Sequence, residues 1–264
     1  MKLLFIIVGG SFRKGSHMTR NYGSHEAYDE QIKASENQIE FLKHIKNKYN
    51  IDQIDIIIST YSTKYDNDLI NVYKDYLIDK NIFDYNNGKG LRGIHKLFHE
   101  SYKDHLKNYD ALLFLRIDIM LKQKLFDIFN PNAQTILFPF ICSPINITTG
   151  EVSDRYPSGH PKPSDMLLFV PKKYFNIIDK INIGHGTWEE LVGGSGGFVV
   201  HKKPILTYDD FDCMIDTYYD SDSEIECNQL YYTINRKQTN FRSGNDKNVE
   251  KFCKYDYNYR LLKK

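Results

Sequence analysis

The chain has 264 residues, enough to bury a sizeable core as one large domain or as a domain with an elaborated half. Its 41% hydrophobic and 26% charged residues are those of an ordinary soluble globular protein. A net charge of +1 supplies no field that would draw nucleic acid or a membrane surface.

No stretch approaches the length of a membrane span. The cysteines Cys142, Cys213, Cys227 and Cys253 form no C-x-x-C pair and have no zinc-finger spacing. They read as reduced thiols of a cytoplasmic protein.

Lys2 to Val8 is almost wholly apolar and predicts a first buried strand. Gly9-Gly10-Ser11-Phe12-Arg13-Lys14-Gly15 follows at once. A glycine turn after a first parallel strand is where α/β proteins bring backbone close to a nucleotide. Ser16 stands where a P-loop needs lysine, which excludes a Walker ATPase. What remains is either an ordinary turn or one whose two cations, Arg13 and Lys14, suit phosphate.

From Glu30 to Tyr49, Ile32, Ile39, Leu42 and Ile45 recur at helical spacing, which predicts an amphipathic helix. Asp55 to Thr60 predicts a second buried strand, Leu69 to Leu77 a helix and Asn81 to Tyr85 a short strand. A turn at Asn86 to Gly90, a helix from Ile94 to Leu106 and a strand from Asp110 complete the first half.

That last strand, Leu112-Leu113-Phe114-Leu115-Arg116-Ile117-Asp118, sets an arginine and an aspartate two positions apart at the end of a buried run. Residues i and i+2 of a strand share a face, and buried charges are costly unless something uses them. The alternatives are an internal ion pair or a strand-end site for a phosphate-bearing, metal-bound ligand. Asp118 suits a divalent metal, and Arg116 suits phosphate or a pairing with Asp118.

The second half predicts strands at Ile136–Ile141, Met166–Val170 and Phe198–His201, and helices at Lys172–Ile181 and Glu224–Asn235. A long loop from Ser143 to Ser164 carries four prolines and no period. Trp188-Glu189-Glu190 stands beside two glycine clusters and is either a core anchor with solvated glutamates or a sugar-stacking group. Asp209, Asp210 and Asp212 read as a solvated acidic loop.

The stretch Val8 to Arg13, the strand Asp55 to Thr60 and the triplet Arg116-Ile117-Asp118 together resemble the landmarks of GT-A-type glycosyltransferases. Such enzymes are found in surface-polysaccharide clusters and in large DNA viruses. In them the first strand ends in a G-x-x-R turn, the second in threonine and the third in R-x-D in place of D-x-D. The resemblance covers roughly the first 120 residues.

It implies a GT-A-like α/β single domain with a mainly parallel, Rossmann-like sheet flanked by helices and an elaborated acceptor-side C-terminal half. Residues 1–120 would form the nucleotide-sugar-binding half and 121–264 the acceptor-binding half of the same domain. The implied activity is sugar transfer from a nucleoside diphosphate sugar (UDP- or GDP-linked) to a glycan or glycoprotein acceptor. Gly9, Gly10, Arg13, Thr60, Arg116, Asp118 and Trp188 are the donor-site candidates.

The implied cofactor is Mn²⁺ or Mg²⁺ on Asp118, with a C-terminal histidine, His201 or else His185, completing the metal shell. An inverting transferase needs a carboxylate base, for which Asp165, Glu189 and Glu190 are candidates. Two other readings stand beside this one. One is a non-catalytic glycan- or partner-binding protein on a degenerate transferase fold. The other is a nucleotidyl- or sulfotransferase.

Overall fold

The structure is a computed structural model that describes residues 1–14, 21–84, 104–144, 167–178, 211–219 and 232–234. Its strands are β1 (Lys2–Gly9), β2 (Gln53–Tyr61), β3 (Leu77–Phe83), β4 (Ala111–Arg116), β5 (Ile119–Leu121), β6 (Ile136–Pro144), β7 (Leu167–Pro171), β8 (Phe211–Tyr219) and β9 (Tyr232–Ile234). Helix α1 spans Tyr28–Tyr49 and α2 spans Asp66–Tyr73. Shorter helical pieces lie at His25–Ala27, Gln123–Ile128, Lys172–Tyr174 and Phe175–Ile178.

One seven-stranded sheet has the order β3-β2-β1-β4-β7-β6-β8. β1 pairs in parallel with β2 and β4, β2 with β3, and β6 with β8, whereas β7 is antiparallel to both β4 and β6. Six of the seven strands therefore share one direction, and the fold is a mixed α/β sheet flanked by helices. A two-stranded ribbon, β5 with β9, stands apart.

The strands β1, β2, β4 and β7 are buried on both faces, so they carry continuous apolar runs rather than alternation. Every residue of β4 is buried. On one face Leu3, Phe5, Ile7, Ile56, Ile58, Leu113 and Leu115 pack with Phe41, Leu42 and Ile45 of α1. On the other, Leu4, Ile6, Val8, Ile57, Leu112 and Phe114 pack with Leu106, Tyr109 and Leu168.

Helix α1 begins with Asp29 and Glu30, ends with Lys46 and Lys48, and closes on Asn50 in the left-handed conformation. Those charges complement the helix dipole, and asparagine tolerates that backbone.

Three sequence expectations shift. The second helix starts at Asp66 and not at Leu69. The Asp66 carboxylate accepts the Thr63 backbone N–H at 3.0 Å, and the Thr63 hydroxyl accepts the Tyr65 N–H at 3.2 Å. These bonds, with Asp66 N–H donating to the Thr63 carbonyl at 3.3 Å, turn the chain ahead of the helix, which starts one turn early.

That helix ends at Tyr73, so β3 begins at Leu77, four residues before the expected strand. Its middle residues, Ile78, Asp79 and Lys80, are exposed, so it reads as surface and not as a buried run. Finally, Tyr232–Ile234 is a strand and not the end of a helix. Its backbone pairs with Ile119–Leu121, a tertiary contact that overrides the local helical period.

The remainder of the expected Glu224–Asn235 helix lies outside the described residues. So do the Asn86–Gly90 turn, the Phe198–His201 strand and most of the Ser143–Ser164 loop.

Asp66→Ala removes the carboxylate that accepts the Thr63 N–H and hydroxyl in this turn. It is expected to lower stability by about 0.5–2 kcal/mol, read as a shift of the urea midpoint at unchanged slope.

Candidate active site

Parallel pairing brings the C-terminal ends of β2, β1 and β4 to one rim. Gly9 lies beside Thr60, and Val8 lies between Ser59 and Arg116. Such a rim is where open α/β sheets bind ligands.

The chain leaves β1 through a turn that only glycine can make. Gly9 has φ +139°, and a Cβ there would lie 2.9 Å from Ile117 Cγ2. A Cβ on Gly10 would lie 1.9 Å from Tyr22 Cε1.

Phe12 then adopts φ 51°, a left-handed backbone that is unfavourable outside glycine. It is over-determined by its surroundings. Its ring stacks on Tyr28 at 5.6 Å and meets Tyr65 at 5.0 Å. Its N–H donates to Gln31 Oε1 at 3.2 Å, and its carbonyl accepts from Ser24 N–H at 3.0 Å.

This turn delivers Arg13 to Asp118. The Arg13 guanidinium Nη1 lies 3.8 Å from Asp118 Oδ2. Arg116 grips the same carboxylate as a fork, Nε to Oδ1 at 3.1 Å and Nη2 to Oδ2 at 2.8 Å. All three side chains are buried, with relative exposures of 6% for Arg13, 9% for Arg116 and 3% for Asp118. In that setting a bidentate fork is a strong, geometrically specific contact.

Thr60 sits beneath the turn. Its hydroxyl donates to Ser11 Oγ at 3.2 Å and accepts the Ser11 N–H at 3.3 Å. Lys14 is paired with Glu26, and its backbone bridges to Asn21.

A second set of residues, absent from the sequence reading, holds this rim from below. Gln31, Ser35 and Gln38 occupy the core side of α1 at 1%, 0% and 0% exposure. Gln31 Nε2 donates to Ile117 O at 2.9 Å. Gln38 Nε2 reaches Arg116 O at 3.3 Å, Ile117 O at 3.2 Å and Ile119 O at 2.7 Å. Asn37 Oδ1 accepts the Leu121 N–H at 2.6 Å, and Tyr73 OH donates to Gln38 Oε1 at 2.8 Å.

The sequence did carry a signal. These polar residues recur at i, i+4 and i+7 on the same stripe as the core residues Ile39, Leu42 and Ile45.

Of the sequence candidates, the structure gathers Gly9, Gly10, Arg13, Thr60, Arg116 and Asp118 at one rim. Asp165, Trp188, Glu189, Glu190, His185 and His201 lie outside the described residues, as do Asp209 and Asp210. Asp212 lies in the backbone of β8.

The metal role expected of Asp118 meets an obstacle in this arrangement. Both of its oxygens are held by Arg116, with Arg13 close by. A divalent cation would have to displace a guanidinium from a carboxylate that already faces a second one. Among the described residues no group of three His, Cys, Asp or Glu side chains gathers to share such an ion. Among the described residues, Asp118 with both oxygens on guanidinium groups does not fit a divalent metal.

No family model matches the chain, and no curated protein matches it. Solved structures are similar over part of their length. The galactosyltransferase LgtC in complex with donor and acceptor sugar analogues aligns with 69% of this chain and 62% of its own, at 12% identity and a TM-score of 0.30. A glycosyltransferase involved in glycosylation of the major capsid of PBCV-1 aligns with 69% of this chain and 65% of its own, at 7% identity and a TM-score of 0.28. The inositol-1-phosphate CTP transferase from T. maritima aligns with 70% and 76%, at 8% identity and a TM-score of 0.35. The chain spans about three fifths of the length of the LgtC structures it matches.

Two stability predictions follow from this packing. Asp118→Ala leaves the buried Arg116 guanidinium without its fork and is expected to cost about 3–5 kcal/mol. Urea unfolding measures the loss, and replacing Arg116 by Met in the same chain is expected to recover a large part of it.

The second concerns alkaline pH. Burial raises the pKa of Tyr73 above its ordinary value, with Ser35 opposing. Burial, followed by the hydrogen bond to Asp55, does the same for Tyr109. Below about pH 10 both the folded and the unfolded chain hold these protons. Above it the unfolded chain releases them first, so stability falls as pH rises.

Tyr73→Phe is expected to flatten part of that fall. At neutral pH it costs about 1–3 kcal/mol, because Gln38 Oε1 loses the Tyr73 donor. Urea midpoints across the alkaline range test both effects.

Proposed function

We propose that this chain is a glycosyltransferase that moves a sugar from a nucleoside diphosphate sugar to a glycan or protein acceptor. The observation that supports the reading is the convergence of Arg13 and Arg116 on one carboxylate beside a glycine turn, at the C-terminal rim of β1 and β4. The leaving group of such a transfer is a nucleoside diphosphate, which gains negative charge as the glycosidic bond breaks. Preorganised guanidiniums in a water-poor site stabilise that charge more in the transition state than in the ground state.

Arg13 and Arg116 take that role, and Asp118 fixes the orientation of both. No step is assigned to a metal, because Asp118 is engaged by arginine. The acceptor side belongs to residues 121–264, with Asp165, Glu189 and Glu190 as candidate bases and Trp188 as a candidate sugar contact.

A thermal-shift panel of UDP, GDP and CMP, each free and sugar-linked, with Mn²⁺ or with EDTA, tests the reading. A ligand of the folded state at a hundred times its Kd adds about 2.7 kcal/mol, a readily measured rise in Tm. One diphosphate series is expected to stabilise the protein, and Arg13→Ala is expected to remove the effect. Absence of a shift with every nucleotide at millimolar concentration sinks the proposal.

The engagement of both Asp118 oxygens also favours one alternative, a binding protein on the same fold. Release of free nucleotide from the stabilising donor separates the two readings, since a binding protein stabilises without turnover.

A further inference from the structure

Beyond Arg116 the chain departs from the sheet while still in the core, and its carbonyls turn toward α1. Ile117 N–H still completes the β1 ladder at Val8 O, at 2.8 Å. The carbonyls of Arg116, Ile117 and Ile119 are served instead by the side-chain amides of Gln31 and Gln38. Gln31 does one thing more. Its Oε1 accepts the N–H of Phe12 while its Nε2 donates to the carbonyl of Ile117. Phe12 immediately precedes Arg13, and Ile117 immediately follows Arg116. One planar amide therefore ties together the two backbones that carry the guanidiniums.

We infer that Gln31 is a positioning residue that sets the separation of Arg13 and Arg116, and so matches the site to two linked phosphates rather than one. The inference rests on the glycosyltransferase reading and assigns it a specificity determinant. Gln38 supports the same segment from one side only, since its partners are the carbonyls at and beyond the end of β4 and the Tyr73 hydroxyl.

The chemistry accounts for glutamine in particular. At neutral pH a glutamine amide presents a donor and an acceptor side by side on one rigid plane, without a charge. A glutamate keeps the acceptor for Phe12 but turns a charged oxygen toward the Ile117 carbonyl. An apolar residue fills the space and leaves both backbone groups unserved. A residue that served only to fill the core would more cheaply be leucine on this stripe.

The test is titration calorimetry with inorganic pyrophosphate and inorganic phosphate, at a temperature well below the melting point of each variant. The wild type is expected to bind pyrophosphate at least about tenfold more tightly than phosphate, a difference of about 1.4 kcal/mol. Gln31→Leu is expected to bring the two affinities within about threefold of each other, because misplacing one of two cooperating groups costs that cooperation.

Gln31→Glu adds a readout that packing alone does not move. Near pH 8 its ionised carboxylate cannot donate to Ile117, and the preference for pyrophosphate is expected to be lost. Near pH 5 the carboxyl, whose pKa burial raises, regains its proton and its donor. The preference is then expected to return, measured relative to the wild type at each pH.

A folded Gln31→Leu variant with the wild-type ratio overturns the inference and leaves the glycosyltransferase reading standing. If that variant does not fold, a Gln31→Glu ratio that tracks the wild type at both pH values overturns it. Wild-type protein that binds no pyrophosphate and no nucleotide overturns the reading itself, and the inference with it.

Discussion

A backbone that leaves a sheet inside a protein must find donors for carbonyls that no neighbouring strand can serve. This chain meets that constraint just after Arg116. The answer is a stripe of amides on α1, which joins the sheet rim, the glycine turn and α2 into one hydrogen-bonded unit. Remove the amides and the carbonyls of Arg116, Ile117 and Ile119 would each forfeit a partner in a dry environment. The backbones that carry the arginines are thus tied together by neutral amides of α1.

The electrostatics build on that frame. A carboxylate held by a bidentate arginine is a poor ligand for a cation, and it is a good device for fixing the plane of a guanidinium. Asp118 serves Arg116 in this way and lies close enough to Arg13 to orient it as well. The aromatic enclosure of Phe12 makes the other contribution. It holds an unfavourable backbone angle at the residue that launches Arg13.

The parts of the fold legible in the sequence are those where burial is two-sided or periodic. β1, β2 and β4 read as apolar runs because both of their faces are covered, and α1 reads as a helix from Ile32, Ile39, Leu42 and Ile45. β3 is less legible because its middle is exposed and polar. β9 is illegible because its strand character comes from pairing with residues more than a hundred positions away.

Arg116 and Asp118 stand out because charge at a buried strand end is conspicuous. Their mutual fork does not, since R-x-D is compatible with a pair or with a ligand. Gln31 and Gln38 are hidden for the opposite reason. Glutamine is a good helix former and ordinarily a surface residue, so its place on the apolar stripe attracts no notice.

β7 enters the sheet against the direction of its neighbours and separates β4 from β6. Until it docks, β4 is an edge whose first five residues are all apolar, the kind of strand that recruits other chains. Leu167–Pro171 therefore acts as a cover strip for the first half as well as a bridge to the second. Cutting the chain after Leu121 would strip that cover and leave the arginine-bearing strand as an adhesive border. The strands of the arginine-bearing rim and the later strands are for this reason bound into one sheet, although they are far apart along the chain.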